Sequence, residues 1–194
     1  MSWPNLLTLS RIPFLFLVAG CLFLPSPGPL LATVFFVIAA ITDWADGWLA
    51  RKTGDVSDFG RLMDALADKI LMVGMMIVLL STGLLPSWCL FLVLLIVTRE
   101  LWITGLRLVA AHRGVVLAAE NLGKYKTVFQ ILATALLLLG ESMRKDFSLA
   151  GEGAAVQVTD GLGLAAFIVA TVLTVVSGSV YLWKYRTLLS PSTP

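Results

Sequence analysis

Six apolar runs dominate the chain, each close to the length of a membrane-crossing helix. They cover Leu9–Leu24, Leu30–Arg51, Leu62–Leu80, Trp88–Leu108, Lys126–Leu139 and Leu162–Trp183. About 20 apolar residues span a hydrocarbon core of roughly 30 Å, and the first and fifth runs reach that length only with their flanks. Inside lipid every backbone polar group needs a partner within its own segment, which favours helices. A hydrophobic share of 58% against 13% charged, over 194 residues, excludes an ordinary soluble domain. The expected fold is an all-α integral membrane protein. Its six-transmembrane-helix bundle forms one domain over residues 1–187, and residues 188–194 are a disordered tail.

Charge sets the orientation. With a cytosolic N-terminus, only Arg144 and Lys145 of the 14 Lys and Arg fall on the outer side. The positive-inside rule then puts both termini in the cytosol and makes the protein a multi-pass component of the cell (inner) membrane. Met1–Ser10 carries no basic residue and no small-residue cleavage pattern follows, so the first run reads as a retained span. Asn5, Thr8 and Arg11 precede that span, and with Trp3 as anchor they suggest a short N-terminal interfacial helix. Cys21 and Cys89 are isolated thiols near the outer ends of their helices, able in principle to pair but more often inert. One histidine, His112, and two distant cysteines offer no zinc site, and no nucleic-acid partner is expected.

Breakers divide the runs. Pro25-Ser26-Pro27-Gly28-Pro29 closes the first hairpin, and Ser81-Thr82-Gly83 with Pro86 closes the next on that side. Gly54 suits a helix cap, and Ser57 or Asp58 suits the start of the following helix. The polar stretch Glu141–Asp160 reads as an outer loop.

Within 26 residues the chain places Asp43, Asp46, Asp55, Asp58, Asp64 and Asp68. Four of these lie inside the ends of apolar helices, where an ionised carboxylate is costly without compensation. Asp43, Asp46, Gly47 and Ala50 fall on one helical face, and Gly60, Asp64 and Asp68 on one face of the next. A short connection makes the two helices antiparallel neighbours whose acidic faces can meet. Asp43 lies about 12 Å along its helix from Arg51, so the site is shallow. Converging carboxylates without histidine or thiolate select Mg²⁺, Mn²⁺ or Ca²⁺, and two such ions could clamp a diphosphate. Salt bridges to Arg51, Lys52, Arg61 and Lys69 are the plainer alternative.

The stretch Asp43-Trp-Ala-Asp46-Gly47-Trp-Leu-Ala50-Arg51, then eight residues, then Gly60-Arg-Leu-Met-Asp64-Ala-Leu-Ala-Asp68, resembles the signature of the CDP-alcohol phosphotransferases at every defining position. Six helices with the motif on the second and third match that family's fold. The resemblance implies an enzyme in which an acceptor hydroxyl attacks the diphosphate of a CDP-linked lipid and CMP leaves. It implies that Asp43, Asp46 and Asp64 ligate metal, with Mg²⁺ or Mn²⁺ as two ions. Asp68 would stand in or beside the ligand set as general base. It also assigns Gly47, Arg51 and Ser57 to the cytidine diphosphate, and closes the Asn5, Thr8 and Arg11 segment over the nucleotide of CDP-diacylglycerol. Homodimers are the family's habit. Gly161, Gly163, Ser177, Gly178 and Ser179 could serve either a dimer interface or a close-packed interior.

A second basic set, Arg99, Arg107, His112, Arg113, Lys124 and Lys126, bears on the acceptor. Arg113 and Lys124 fit topology anchors. Arg99 lies eight residues deeper than Arg107 and fits a phosphorylated acceptor, which arginine binds bidentately. Thr98-Arg99-Glu100 through Thr104-Gly105-Leu106-Arg107, then Leu122-Gly123-Lys124-Tyr125-Lys126-Thr127, resembles the branch that makes phosphatidylglycerophosphate, as does the opening Asn5–Pro13. That branch implies glycerol 3-phosphate as acceptor, with Arg99, Arg107, Lys124 and Lys126 around it. Ala118-Ala119-Glu120-Asn121 departs from the small neutral run expected there, and Glu100 would orient Arg99 or Arg107. Alternatives are a cardiolipin synthase of this fold, an inositol-phosphate or serine transferase, or, from another class, a cation or proton transporter.

Overall fold

The computed structural model describes residues 3–53, 58–112, 121–147 and 153–186; within them, the side chains of 3–10, 43–53, 58–65, 68, 112, 121 and 122 stand outside the description. The described chain is six helices without a strand. These are α1 Trp3–Leu22, α2 Gly28–Thr53, α3 Asp58–Ser81, α4 Cys89–His112, α5 Asn121–Lys145 and α6 Ala154–Lys184.

The expected breakers fall between the helices. Pro25, Ser26 and Pro27 separate α1 from α2, with a cis Ser26–Pro27 bond, and Gly28 and Pro29 begin α2. After Ser81 the chain turns through Gly83 at φ 77, and the Leu85 N–H reaches back to the Leu79 carbonyl at 3.0 Å. A side chain is strained at that φ, so glycine ends the helix there. Asp58 does begin α3, whereas Gly54 and Ser57 lie outside the described residues.

Two boundaries differ from expectation. α1 runs unbroken from Trp3 through Pro13 to Leu22, where a separate short lead-in helix was expected. The polar stretch Glu141–Asp160 is mostly helical: α5 continues to Lys145 and α6 begins at Ala154. Four of its described charges pair with each other. Arg144 pairs with Glu141 and Asp160, and Lys145 pairs with Glu141 at 2.8 Å. Asp146 accepts the Leu30 N–H at 2.6 Å, where the first turn of α2 has unbonded donors.

α5 and α6 pack most extensively; α1 lies against α2 and α3, α5 also meets α2 and α3, and α4 rests chiefly on α6. The acid-bearing helices α2 and α3 are thus tied together through shared neighbours. Buried residues on α6 recur at Gly163, Ala166, Ala170, Thr174, Ser177 and Tyr181, an unbroken helical stripe. The other face is exposed and apolar, with Leu162, Val169, Val172, Val176 and Trp183 on the surface. Such a face suits lipid. Buried hydroxyls of Thr171 and Thr174 donate to carbonyls one turn back, at 2.9 and 2.6 Å, and so cost little.

Cys21 and Cys89 are free and buried. Of the five small residues considered for a dimer, Gly163 packs on Leu137, Gly178 packs on Arg99 and Ser177 is buried, all within the chain. Gly161 and Ser179 remain exposed. Among the described residues three helical stretches are long and apolar enough to cross a membrane: Cys89–Ala111, Gly123–Lys145 and Ala154–Lys184. The apolar parts of the others are shorter, at Arg11–Leu22, Gly28–Thr42 and Lys69–Ser81.

Candidate active site

The carboxylates stand on regular helix, Asp43 and Asp46 in the last turns of α2, Asp64 and Asp68 in the first turns of α3. Both sets of aspartates thus stand on helix, as their spacing requires. The side chains of Asp43, Asp46, Gly47, Arg51, Asp64 and Asp68 lie outside the described residues, as do those of Asn5 and Thr8. Among the described residues no three His, Cys, Asp or Glu side chains gather, and these four aspartates are not part of that set. Four carboxylates without a soft ligand form a donor set suited to a hard divalent cation. One turn before Asp43 on α2, a groove of about 290 Å³ opens between α2 and α5, lined by Phe36, Val37, Ala40, Ile41, Ile131 and Ala135. Arg11, also assigned to the nucleotide, is buried on α1 at 4% exposure.

The basic set separates into buried and exposed members. Lys126 is buried, and its ammonium pairs with the Glu100 carboxylate. Arg99 donates from Nη1 to the same Glu100 oxygen at 2.9 Å and from Nη2 to the Ser177 hydroxyl at 3.0 Å. Glu100 thus holds one cation on its own helix and another on α5, while Arg99 reaches α6. Lys69, next to Asp68 on α3, acts electrostatically on Glu100 and on Lys126. The cationic cluster is therefore close to the acid-bearing helix.

Arg107 and Lys124 stand at the surface. Lys124 is exposed at the start of α5, as a topology anchor would be. Arg107 is exposed too, with Nε donating to the Tyr181 hydroxyl at 3.2 Å and its guanidinium 5.4 Å from that ring. Glu100 accordingly orients Arg99 and Lys126, not Arg107. Arg113 and Glu120 lie outside the described residues.

Three participants on α6, Ser177, Gly178 and Tyr181, were not legible as site residues. In sequence they read as small residues and an aromatic within an apolar helix. A usable signal was their period: Ser177 and Tyr181 are one turn apart on α6, as Arg99 and Arg107 are two turns apart on α4. Beside Arg99 a groove of about 520 Å³ runs between α4 and α6, with Leu95, Trp102, Val175 and Leu182 in its walls.

Known proteins bear on this arrangement. A family model described as CDP-alcohol phosphatidyltransferase matches residues 1–183. A Bacillus subtilis protein named CDP-diacylglycerol–glycerol-3-phosphate 3-phosphatidyltransferase is 47% identical over 57% of this chain and 55% of its own length. Relatives of the same name from Sodalis glossinidius and Pectobacterium atrosepticum are 35% and 34% identical over 95% and 97% of this chain, covering 93% and 97% of themselves. With the signature on α2 and α3 and a match over nearly its whole length, this chain belongs to the CDP-alcohol phosphatidyltransferase family.

Proposed function

We propose that this protein transfers the phosphatidyl group of CDP-diacylglycerol to sn-glycerol 3-phosphate, giving phosphatidylglycerophosphate and CMP, the reaction named for its relatives. The observation that carries the acceptor is the buried pair of cations: among the described residues, Arg99 and Lys126 share the carboxylate of Glu100. Two buried cations on one described carboxylate suit a phosphorylated acceptor, and a neutral alcohol or serine has no use for them. Acids at one end of two helices, rather than through the depth of the bundle, speak against a transporter.

Six spans with the acid-bearing end cytosolic is the topology we favour. Arg99 and Lys126 hold the acceptor phosphate, and Arg107 extends the cationic track toward the surface. Asp43, Asp46, Asp64 and Asp68 are suited to hold two divalent cations, Mg²⁺ or Mn²⁺, which supply charge neutralisation at the diphosphate when bound. Gly47, Arg51 and Ser57, with Asn5, Thr8 and Arg11 on the α1 side, take the cytidine diphosphate. The α2–α5 groove is apolar and close to Asp43, so it suits an acyl chain of the donor. The acceptor hydroxyl attacks the phosphorus that carries diacylglycerol, its proton passes to Asp68, and the bond to the CMP oxygen breaks. Holding the two substrates in line supplies much of the rate. The assembly we favour is a homodimer.

The test is CMP release by purified protein given CDP-diacylglycerol and Mg²⁺, with glycerol 3-phosphate, inositol phosphate, serine or phosphatidylglycerol as acceptor. Turnover with glycerol 3-phosphate alone is expected. Turnover with another acceptor moves the protein to a different branch, and no CMP with any alcohol overturns the enzymatic reading.

A further inference from the structure

Arg99 is held from three sides, and one of them is a missing side chain. A Cβ placed on Gly178 of α6 would stand 2.6 Å from Arg99 Cγ and 3.0 Å from its Nε. Real carbon atoms do not approach so closely, so glycine at 178 is what lets the arginine stem lie against α6. The stem cannot evade such a Cβ cheaply, because the clash falls near the root of the side chain rather than at its flexible end. From that seat Nη2 reaches Ser177 at 3.0 Å and Nη1 reaches Glu100 at 2.9 Å. A guanidinium carries five N–H donors, two on each terminal nitrogen. After these two bonds each terminal nitrogen keeps one N–H to offer, the pattern that grips an oxyanion bidentately. Nε is buried without a hydrogen-bond partner, so contact with Gly178 is bought at the expense of one donor. A feature that leaves a buried donor unmet is poorly explained by stability alone.

We propose that Gly178, Ser177 and Glu100 are positioning residues, which fix the Arg99 guanidinium for the phosphate of the acceptor and so set acceptor affinity without touching either substrate. This rests on the acceptor reading above. α6 thereby becomes part of the acceptor site although it carries none of the signature residues. Glu100 has a second task, since its carboxylate also draws Lys126 from α5 toward the same point.

Steady-state kinetics of the full-length protein test this, with glycerol 3-phosphate and CDP-diacylglycerol varied in turn. Gly178→Ala is expected to raise KM for glycerol 3-phosphate about tenfold or more, the size of losing one charge-assisted hydrogen bond, with KM for CDP-diacylglycerol within about twofold. Ser177→Ala, which leaves the stem seated, is expected to raise it about threefold. The decisive comparison is non-additivity: Gly178→Ala placed in an Arg99→Ala background is expected to add nothing, because the group it displaces is already gone. An unchanged KM in both single variants, equal losses for both substrates, or a Gly178→Ala effect that persists without Arg99 overturns the proposal. Should Gly178→Ala fail to fold, Ser177→Ala with and without Arg99 carries the same comparison. Failure of the acceptor reading shows separately, as wild-type protein that does not use glycerol 3-phosphate.

Discussion

Near the start of α6, Arg144 meets Glu141 and Asp160 while Lys145 meets Glu141. Across the bundle Arg99 and Lys126 share one described carboxylate, that of Glu100. Both clusters join one helix to another, and both contain arginine and lysine. They differ in balance and in exposure. The Arg144 side chain is 35% exposed and its cluster holds as many acids as bases, so it is a closed clamp on the α5–α6 hairpin. The Arg99 side chain is 14% exposed and the Lys126 side chain 9%, and among the described residues two cations there share one acid. Buried unbalanced charge is costly. On the proposed function the acceptor phosphate completes it, and the acid-bearing helix beside it serves the same site.

That contrast can be broken most severely at the acids. Asp68→Asn is expected to lower turnover by about a hundredfold to ten-thousandfold, the range for removing a general base. Chelating the divalent cation is expected to abolish turnover reversibly, with Mg²⁺ or Mn²⁺ restoring it. Melting temperature in detergent should hold or rise for Asp68→Asn, because mutual repulsion among carboxylates falls. A variant that loses stability instead of turnover would place Asp68 in a structural ion pair. Next in size is Arg99→Ala, expected to raise KM for glycerol 3-phosphate by about tenfold to a hundredfold, the worth of a charge-assisted contact. An equal rise for CDP-diacylglycerol would mean that Arg99 serves the donor.

Much of this was legible in the chain because two kinds of signal are local. Apolar runs and the breakers at Pro25–Pro29 and Gly83 place helices without reference to partners, and seven of the eight signature residues fall on two faces set by helical period alone. What depends on tertiary pairing was not legible. Glu141–Asp160 reads as a loop by composition, yet its charges pair across two helix ends and let both helices continue. Arg107 and Arg99 look alike in sequence, but Tyr181 holds the former at the surface while a glycine on α6 admits the latter. Small residues in an apolar helix carry no mark of which neighbour they make room for.

The smallest effect is expected at the clamp. Arg144→Ala removes two ion pairs and leaves Asp160 without its partner, while Glu141 keeps Lys145. Partly exposed pairs are worth about 0.2–1 kcal/mol each, so the melting temperature should fall by only a few degrees. Salt should narrow the gap between variant and wild type, since screening weakens the pairs in the parent protein as well. Both KM values and kcat should stay within about twofold of wild type, because this end of α5 meets the start of α2 at Leu30, whereas Asp43 and Asp46 lie toward the other end of that helix. A loss of acceptor affinity in Arg144→Ala would join the two clusters through α5 and α6, and the balanced cluster could then no longer be read as a clamp alone.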